Sequence, residues 1–190
     1  MNSCKNILLV GVGGQGTILT SKILSTGLLN AGYDVKMSEI HGMAQRGGSV
    51  STQIRYGERV SSPIIGRGEA DILIAFEKME AMRWLEFLSK TGKLIVNDQK
   101  IESAPILAGK ESYPKDILKM LSQRTTLQIV PATKMAVELG NIRVMNVIML
   151  GVLVKQTGLE SIDWKVEIKN LVKPKFADIN LEAFELGYSV

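Results

Sequence analysis

A chain of 190 residues that is 45% hydrophobic is long enough to bury one sizeable core and short for two, so a single domain over residues 1–190 is expected. The 23 Lys and Arg set against 19 Asp and Glu leave a net charge of +4, a balance suited to an anionic ligand or an acidic partner surface, while aromatics at 5% with no basic stripe between them argue against nucleic acid. No run approaches the roughly 18 apolar residues of a membrane span, and MNSCKNILLV carries too few apolar residues to act as a signal peptide, so a cytoplasmic protein with no membrane partner is expected.

Asn6 to Val10 (NILLV) is an apolar run ending in glycine, the pattern of a central parallel strand. Apolar residues at Ile18, Leu19, Ile23, Leu24, Leu28 and Leu29 recur at helical spacing, with Gly32 where a C-terminal cap falls. Tyr33 to Ile40 reads as a second strand and completes a βαβ unit. A polar loop, HGMAQRGG, then precedes an alternating strand from Ser49 to Tyr56. Gly57-Glu58 is expected to turn and Arg59–Ser61 to return as its antiparallel partner. Parallel order resumes with the strand Asp71 to Phe76, a helix over about Lys78 to Lys90 and the strand Lys93 to Asn97.

Residues 98–113 are less regular, and Pro114 is expected to open a short helix from its first turn. Thr126 to Val130 is the last strand. Helices follow over about Thr133 to Leu139 and Arg143 to Gln156, the second apolar on most faces and therefore buried. Ser161 to Val190 carries a capping signal at Ser161-Ile162-Asp163, a lysine-rich helix, a break at Pro174 and a short last helix around Leu181. The expected fold is a three-layer α/β structure with a mixed, mostly parallel sheet, a Rossmann-like start, a β-hairpin insertion and a helical tail over about residues 161–190.

Gly11, Gly13 and Gly16 in VGVGGQGT fit G-x-G-x-x-G, in which small residues expose backbone N–H groups at the positive end of a helix. The same glycines also serve a tight turn and close helix–strand packing, and the pattern alone is weak. Glu39 stands near the place of the acidic residue that meets a ribose in nicotinamide-binding proteins. A free-standing NAD(P)-binding or nucleotide-binding protein is therefore one reading. His41, the only histidine, lies with Glu39, Gln45, Arg46 and Ser49 in a segment suited to acid–base work or to clamping an anion, and equally to a loop stapled by its own hydrogen bonds or to a subunit contact. Lys134 and Asn141 follow the last strand, where α/β ligands often bind, although Gly-Asn between helices commonly serves as a stop and cap. One cysteine, Cys4, forms neither an internal disulfide nor an iron–sulfur cluster, which needs about four thiolates. The nine methionines fall at core spacing and read as packing, not a metal site.

Taken in order, GVGGQG, SEIHGMAQRGGSVSTQIRYG, GEADILIAFE and ATKMAVELGNIRVMNVIMLG span nearly the whole chain. Together they resemble the beta subunit of indolepyruvate ferredoxin oxidoreductases, homologous to the gamma subunit or domain of pyruvate and 2-oxoacid ferredoxin oxidoreductases. The resemblance implies an accessory subunit, itself without catalytic residues, of an enzyme that oxidatively decarboxylates arylpyruvates with coenzyme A, giving aryl-acetyl-CoA, CO2 and reduced ferredoxin. It places thiamine diphosphate, magnesium and the iron–sulfur clusters on a larger alpha subunit, with ferredoxin met through the complex. This chain has no G-D-G segment followed by Asn-Asn to hold thiamine diphosphate. The motif positions carried over are Gly11, Gly13, Gly14, Gln15 and Gly16, and Glu39, His41, Gly42, Gln45, Arg46, Gly47 and Gly48. A CoA phosphate on the glycine turn with Arg46 nearby is the resulting expectation.

Overall fold

The structure, a computed structural model, describes residues 4–41 and 47–190, the side chain of His41 excepted. Strand β1 (Lys5–Val12) is buried from Ile7 onward on both faces, as its uninterrupted apolar run requires. Helix α1 (Thr17–Asn30) follows the glycine turn and ends where Gly32 takes φ +90°, with Gly32 and Tyr33 N–H groups donating back to Leu29 and Leu28. Its core-facing stripe includes small and polar residues, Thr20, Ser21, Ser25 and Gly27, beside Ile23, Leu24 and Leu28. Ile18 and Leu29, expected as apolar helix positions, are exposed.

Strands β2 (Asp34–His41) and β3 (Ser49–Gly57) form the inserted hairpin, and β3 lies between β2 and β1, antiparallel to both. The expected return strand is absent: residues 59–61 form no strand, because β3 is already paired on both edges. The sheet continues through β4 (Ala70–Ala75), β5 (Leu88–Asn97) and β6 (Thr126–Val130) in the order β2-β3-β1-β4-β5-β6, with the last three pairings parallel.

Helix α2 (Lys78–Trp84) is shorter than the sequence suggests. A 3-10 turn over Leu85–Phe87 ends it, and the chain re-enters the sheet at Leu88, beside Ala70, before a register shift leads into the main part of β5. Helix α3 (Ala104–Leu107) interrupts the irregular stretch, and α4 (Ile117–Ser122) begins after Asp116, so Pro114 stands outside the helix it was expected to open. Helices α5 (Ala132–Glu138) and α6 (Met145–Thr157) agree with expectation, separated by a 3-10 turn. In the tail, Asp163 caps α7 (Trp164–Leu171) by accepting from the Val166 N–H, and after Pro174 the helix α8 (Ala177–Tyr188) runs for 12 residues, longer than expected.

Three layers result. One face of the sheet carries α1, α5, α6, α7 and α8 around Leu9, Ile54, Ile74 and Ile95, while the other carries α2 and α4 around Leu8, Val10, Leu73 and Val96. Helix α6 is buried at every residue from Met145 to Val154, with each large aliphatic side chain contributing about 1.5–3 kcal/mol of transfer free energy. Helix α8 covers it at backbone contact: a Cβ at Gly187 would meet the Ile148 carbonyl oxygen, and one at Gly151 the Phe184 carbonyl oxygen.

Candidate functional site

The carboxyl ends of the strands are where an open α/β sheet presents its ligands, above all where the strand order reverses beside β1. Here the two sides of β1 differ. Toward β4 and β5 the crevice is filled by side chains. Gln15 accepts from the Val12 N–H at 2.8 Å and donates to the Phe76 carbonyl at 2.8 Å and to Gln99 Oε1 at 2.9 Å. Asn97, fully buried, donates to the same carbonyl at 3.0 Å and accepts from the Thr133 N–H at 3.1 Å. Gln15 is thus satisfied within the protein and ties the glycine turn to three strands.

Toward β3 and β2 the edge is open. A cleft of about 250 Å³ has Gly13, Gly14, Gly16, Thr17 and Ile18 along one wall. Glu39 and Ile40 from the end of β2, with Val50, Ser51 and Thr52 from the start of β3, form the other. Gly14 has φ +104° with open space where a Cβ would stand, so the backbone itself faces the cleft. Gly16 adopts φ +82°, and a Cβ there would come within 2.6 Å of Asn146 Nδ2. No described group accepts from the N–H groups of Gly14, Gly16, Thr17 or Ile18, leaving the start of α1 as an unfilled set of donors. Glu39 Oε1 accepts from Ser21 Oγ at 3.1 Å, and Oε2 has no partner among the described residues.

The motif loop is fastened to this turn. Gly13 donates to the Gly48 carbonyl at 2.9 Å and accepts from the Gly47 N–H at 3.3 Å. Ser49 donates to Glu80, which is 2% exposed and also accepts from Arg83 at 2.7 Å. Its neighbour Glu77, 1% exposed, caps α2 and accepts from the Ile101 N–H at 3.1 Å and from Tyr113 Oη at 2.5 Å. Burial, with that bond to Glu77 second, pushes the Tyr113 phenol far above its ordinary range.

The structure therefore brings Gly13, Gly14, Gly16 and Glu39 to one cleft and turns Gln15 inward, with Gly11 beneath it in the end of β1. Gly47 and Gly48 join the loop to the turn. His41 pairs with Val50 through the backbone; its side chain, Gly42, Gln45 and Arg46 lie outside the described residues. Lys134 is exposed and 3.9 Å from Glu138, and Asn141 caps the turn before α6 by accepting from the Arg143 N–H at 3.0 Å. Sequence reasoning missed Thr17, Thr52, Asn97 and Asn146. Asn146, a lone amide in an apolar helix, was the readable signal.

The sequence model of the family described as pyruvate ferredoxin/flavodoxin oxidoreductase matches residues 6–190. The chain belongs to that family. It is 39% identical to indolepyruvate oxidoreductase subunit IorB of Methanothermobacter thermautotrophicus over 188 residues, covering 96% of this chain and 95% of the relative. With the IorB of Archaeoglobus fulgidus it shares 38% identity over 193 residues, 97% of this chain and 94% of the relative. The crystal structure of pyruvate oxidoreductase subunit PORC from Thermotoga maritima superposes with a TM-score of 0.72 at 24% identity, over 98% of this chain and 96% of that one, a likeness of fold. This member of the pyruvate ferredoxin/flavodoxin oxidoreductase family is thus a subunit of a ferredoxin-dependent 2-oxoacid oxidoreductase. Among its described residues no helix is long and apolar enough to cross a membrane.

Proposed function

We propose that this chain is the accessory subunit of an arylpyruvate ferredoxin oxidoreductase, acting on indolepyruvate and related 2-oxoacids with CoA to give aryl-acetyl-CoA, CO2 and reduced ferredoxin. The observation that carries the reading is the grading of its relatives. The IorB chains quoted above stand at 38–39% identity, whereas a 2-oxoglutarate synthase subunit KorC stands at 29% over a similar length. One cysteine is too few for a cluster ligated by about four thiolates, which supports a division of labour with clusters and thiamine diphosphate on a larger partner. This subunit would pack against that partner and help shape its site, while CoA binds the assembled enzyme. The protein would work in the cytoplasm, where reduced ferredoxin is made and used.

Co-expression with the candidate larger subunit, followed by an assay of CoA-dependent viologen reduction, tests the reading. Co-purification of a brown complex that turns over indolepyruvate and phenylpyruvate in preference to pyruvate and 2-oxoglutarate is expected. A preference for 2-oxoglutarate would overturn the substrate class, and failure to associate would overturn the subunit role.

A further inference from the structure

Both margins of the sheet end in a strand paired on one side only, and the two are guarded differently. At one margin β2 carries Asp34, Lys36 and Glu39, the kind of charged residues with which edge strands discourage further pairing. At the other, β6 reads TLQIV, without a charge, a proline or a register shift, and Ile129 on it is 45% exposed. The backbone of β6 fixes which groups that margin offers. The Val130 carbonyl accepts from the Asp98 N–H at 2.8 Å, so Val130, and with it Gln128 and Thr126, turn their N–H and C=O groups toward β5. Leu127 and Ile129 turn theirs outward, and no described group bonds to them. Two donors and two acceptors thus stand in one row. The row is closed at both ends: the Thr125 N–H already donates to the Leu121 carbonyl at 3.2 Å, and Pro131 has no N–H.

The β6 strand of a second copy fills this row completely, and in one antiparallel register. With a two-fold axis at Gln128, Leu127 of each copy stands opposite Ile129 of the other and exchanges both backbone hydrogen bonds with it. A shift by two residues in either direction calls on Thr125 or Pro131 and loses bonds, and a shift by one sets outward groups against inward ones. The side chains agree with that register. Leu127 packs on the face that carries α2 and α4, Ile129 shares that face, and across the axis each meets the other. Met120 on α4, 38% exposed, adds an apolar side chain on the same face. On the opposite face Thr126 meets Val130 and Gln128 meets its own copy, so no charge faces a like charge anywhere along the pairing.

We propose that β6 is the pairing edge between two copies of this chain, which joins their six-stranded sheets into one continuous sheet across a two-fold axis at Gln128. An oxidoreductase assembled on that pair holds this chain in even number, with the two glycine turns at fixed positions about the same axis.

Analytical ultracentrifugation and cysteine cross-linking of the full-length chain test this. A reversible dimer with a Kd on the order of micromolar is expected, since the ladder is short. Gln128→Lys sets two like charges at the axis and should weaken that dimer about 10-fold or more. In a Cys4→Ser background, Gln128→Cys is expected to give a disulfide-linked dimer under mild oxidant, because the paired Cα atoms stand about 4.5 Å apart. Thr126→Cys is not, since its symmetry mate lies about 13 Å away along the strands. The cross-linking pair decides the matter even if Gln128→Lys fails to fold. A chain that stays monomeric, a dimer that Gln128→Lys leaves unchanged, or cross-linking at position 126 as fast as at 128 would overturn the proposal. None of these results bears on the viologen assay, which reads association with the larger subunit.

Discussion

Asn146, on the buried helix α6, holds the peptide of Gly16. Its Nδ2 donates to the Gly16 carbonyl at 3.1 Å, and its own carbonyl accepts from Thr20 Oγ1 at 3.2 Å. The start of α1, and with it the glycine turn, is thereby referenced to the core as well as to the loop that bonds Gly13. A methyl group at residue 16 would face both a left-handed backbone and the Asn146 amide, so Gly16→Ala is expected to cost about 2–4 kcal/mol. Gly14→Ala, with open space, should cost about 1–2 kcal/mol from its backbone alone. Urea unfolding measures both. Adding Asn146→Ala to Gly16→Ala should destabilise by less than the sum of the two single changes, and strict additivity would show that the contact is relaxed elsewhere.

The filled crevice on the other side of β1 predicts a large effect from a residue with no role toward a ligand. Asn97→Ala leaves the Thr133 N–H without its acceptor and removes a donor from the Phe76 carbonyl in a fully buried setting. A loss of about 2–3 kcal/mol in unfolding free energy is expected. Lys134→Ala, at an exposed pair, should stay within about 0.5 kcal/mol in the same measurement.

Tyr113 gives a pH signature. It donates to Glu77 as a neutral phenol, and its ionisation in the folded protein is pushed up by burial and then by that bond. A folded value raised above the unfolded one of about 10 means the contribution is complete below pH 10 and is lost as pH rises toward the folded value. The gap in unfolding free energy between the wild type and Tyr113→Phe should be about 1–2 kcal/mol and level from pH 7 to 9.5, then shrink in more alkaline buffer. A gap that widened with alkalinity would contradict the assignment.

Between α6 and α8 the backbones touch. Because a Cβ at Gly187 would meet the main chain of Ile148, with no flexible side chain to yield, Gly187→Ala should cost more than about 4 kcal/mol or release α8 altogether. Limited proteolysis would then cut within residues 177–188, with a matching drop in helical circular dichroism. Resistance equal to that of the wild type would show that the two helices slide apart at little cost.

The strands were legible because each is a run of β-branched and aliphatic residues ending in a polar or glycine break: KNILLV, ADILIA and TLQIV fall in the sheet almost as their composition dictates. The neighbours of β3 were not. Nothing in SVSTQIRY distinguishes a strand paired with the following residues from one slotted between two earlier strands, since that depends on pairing energies distant in sequence. Helix α2 misled because Leu85 and Leu88 continue the helical spacing of Met82, although the chain leaves the helix to reach Ala70. At the site, Glu39 and the glycines were readable from spacing. Gln15, carried over as a motif position, folds inward onto Val12, Phe76 and Gln99, and an amide that completes a buried network looks the same in sequence as one that meets a ligand.

The slot occupied by β3 also gives the chain an order of assembly. β2 and β3 are joined through residues 42–48 and pair locally, whereas β1 must find Ile54 and Ile72 across 47 and 65 residues from Ile7. Loops of that length close more slowly than a hairpin forms, so the hairpin precedes the arrival of β1 in time. β1 then enters a gap already bounded on one side. The turn at its end, which depends on Gly48 as well as on α6, is among the last parts of the molecule to take shape, and its amide protons should be among the later ones protected during refolding.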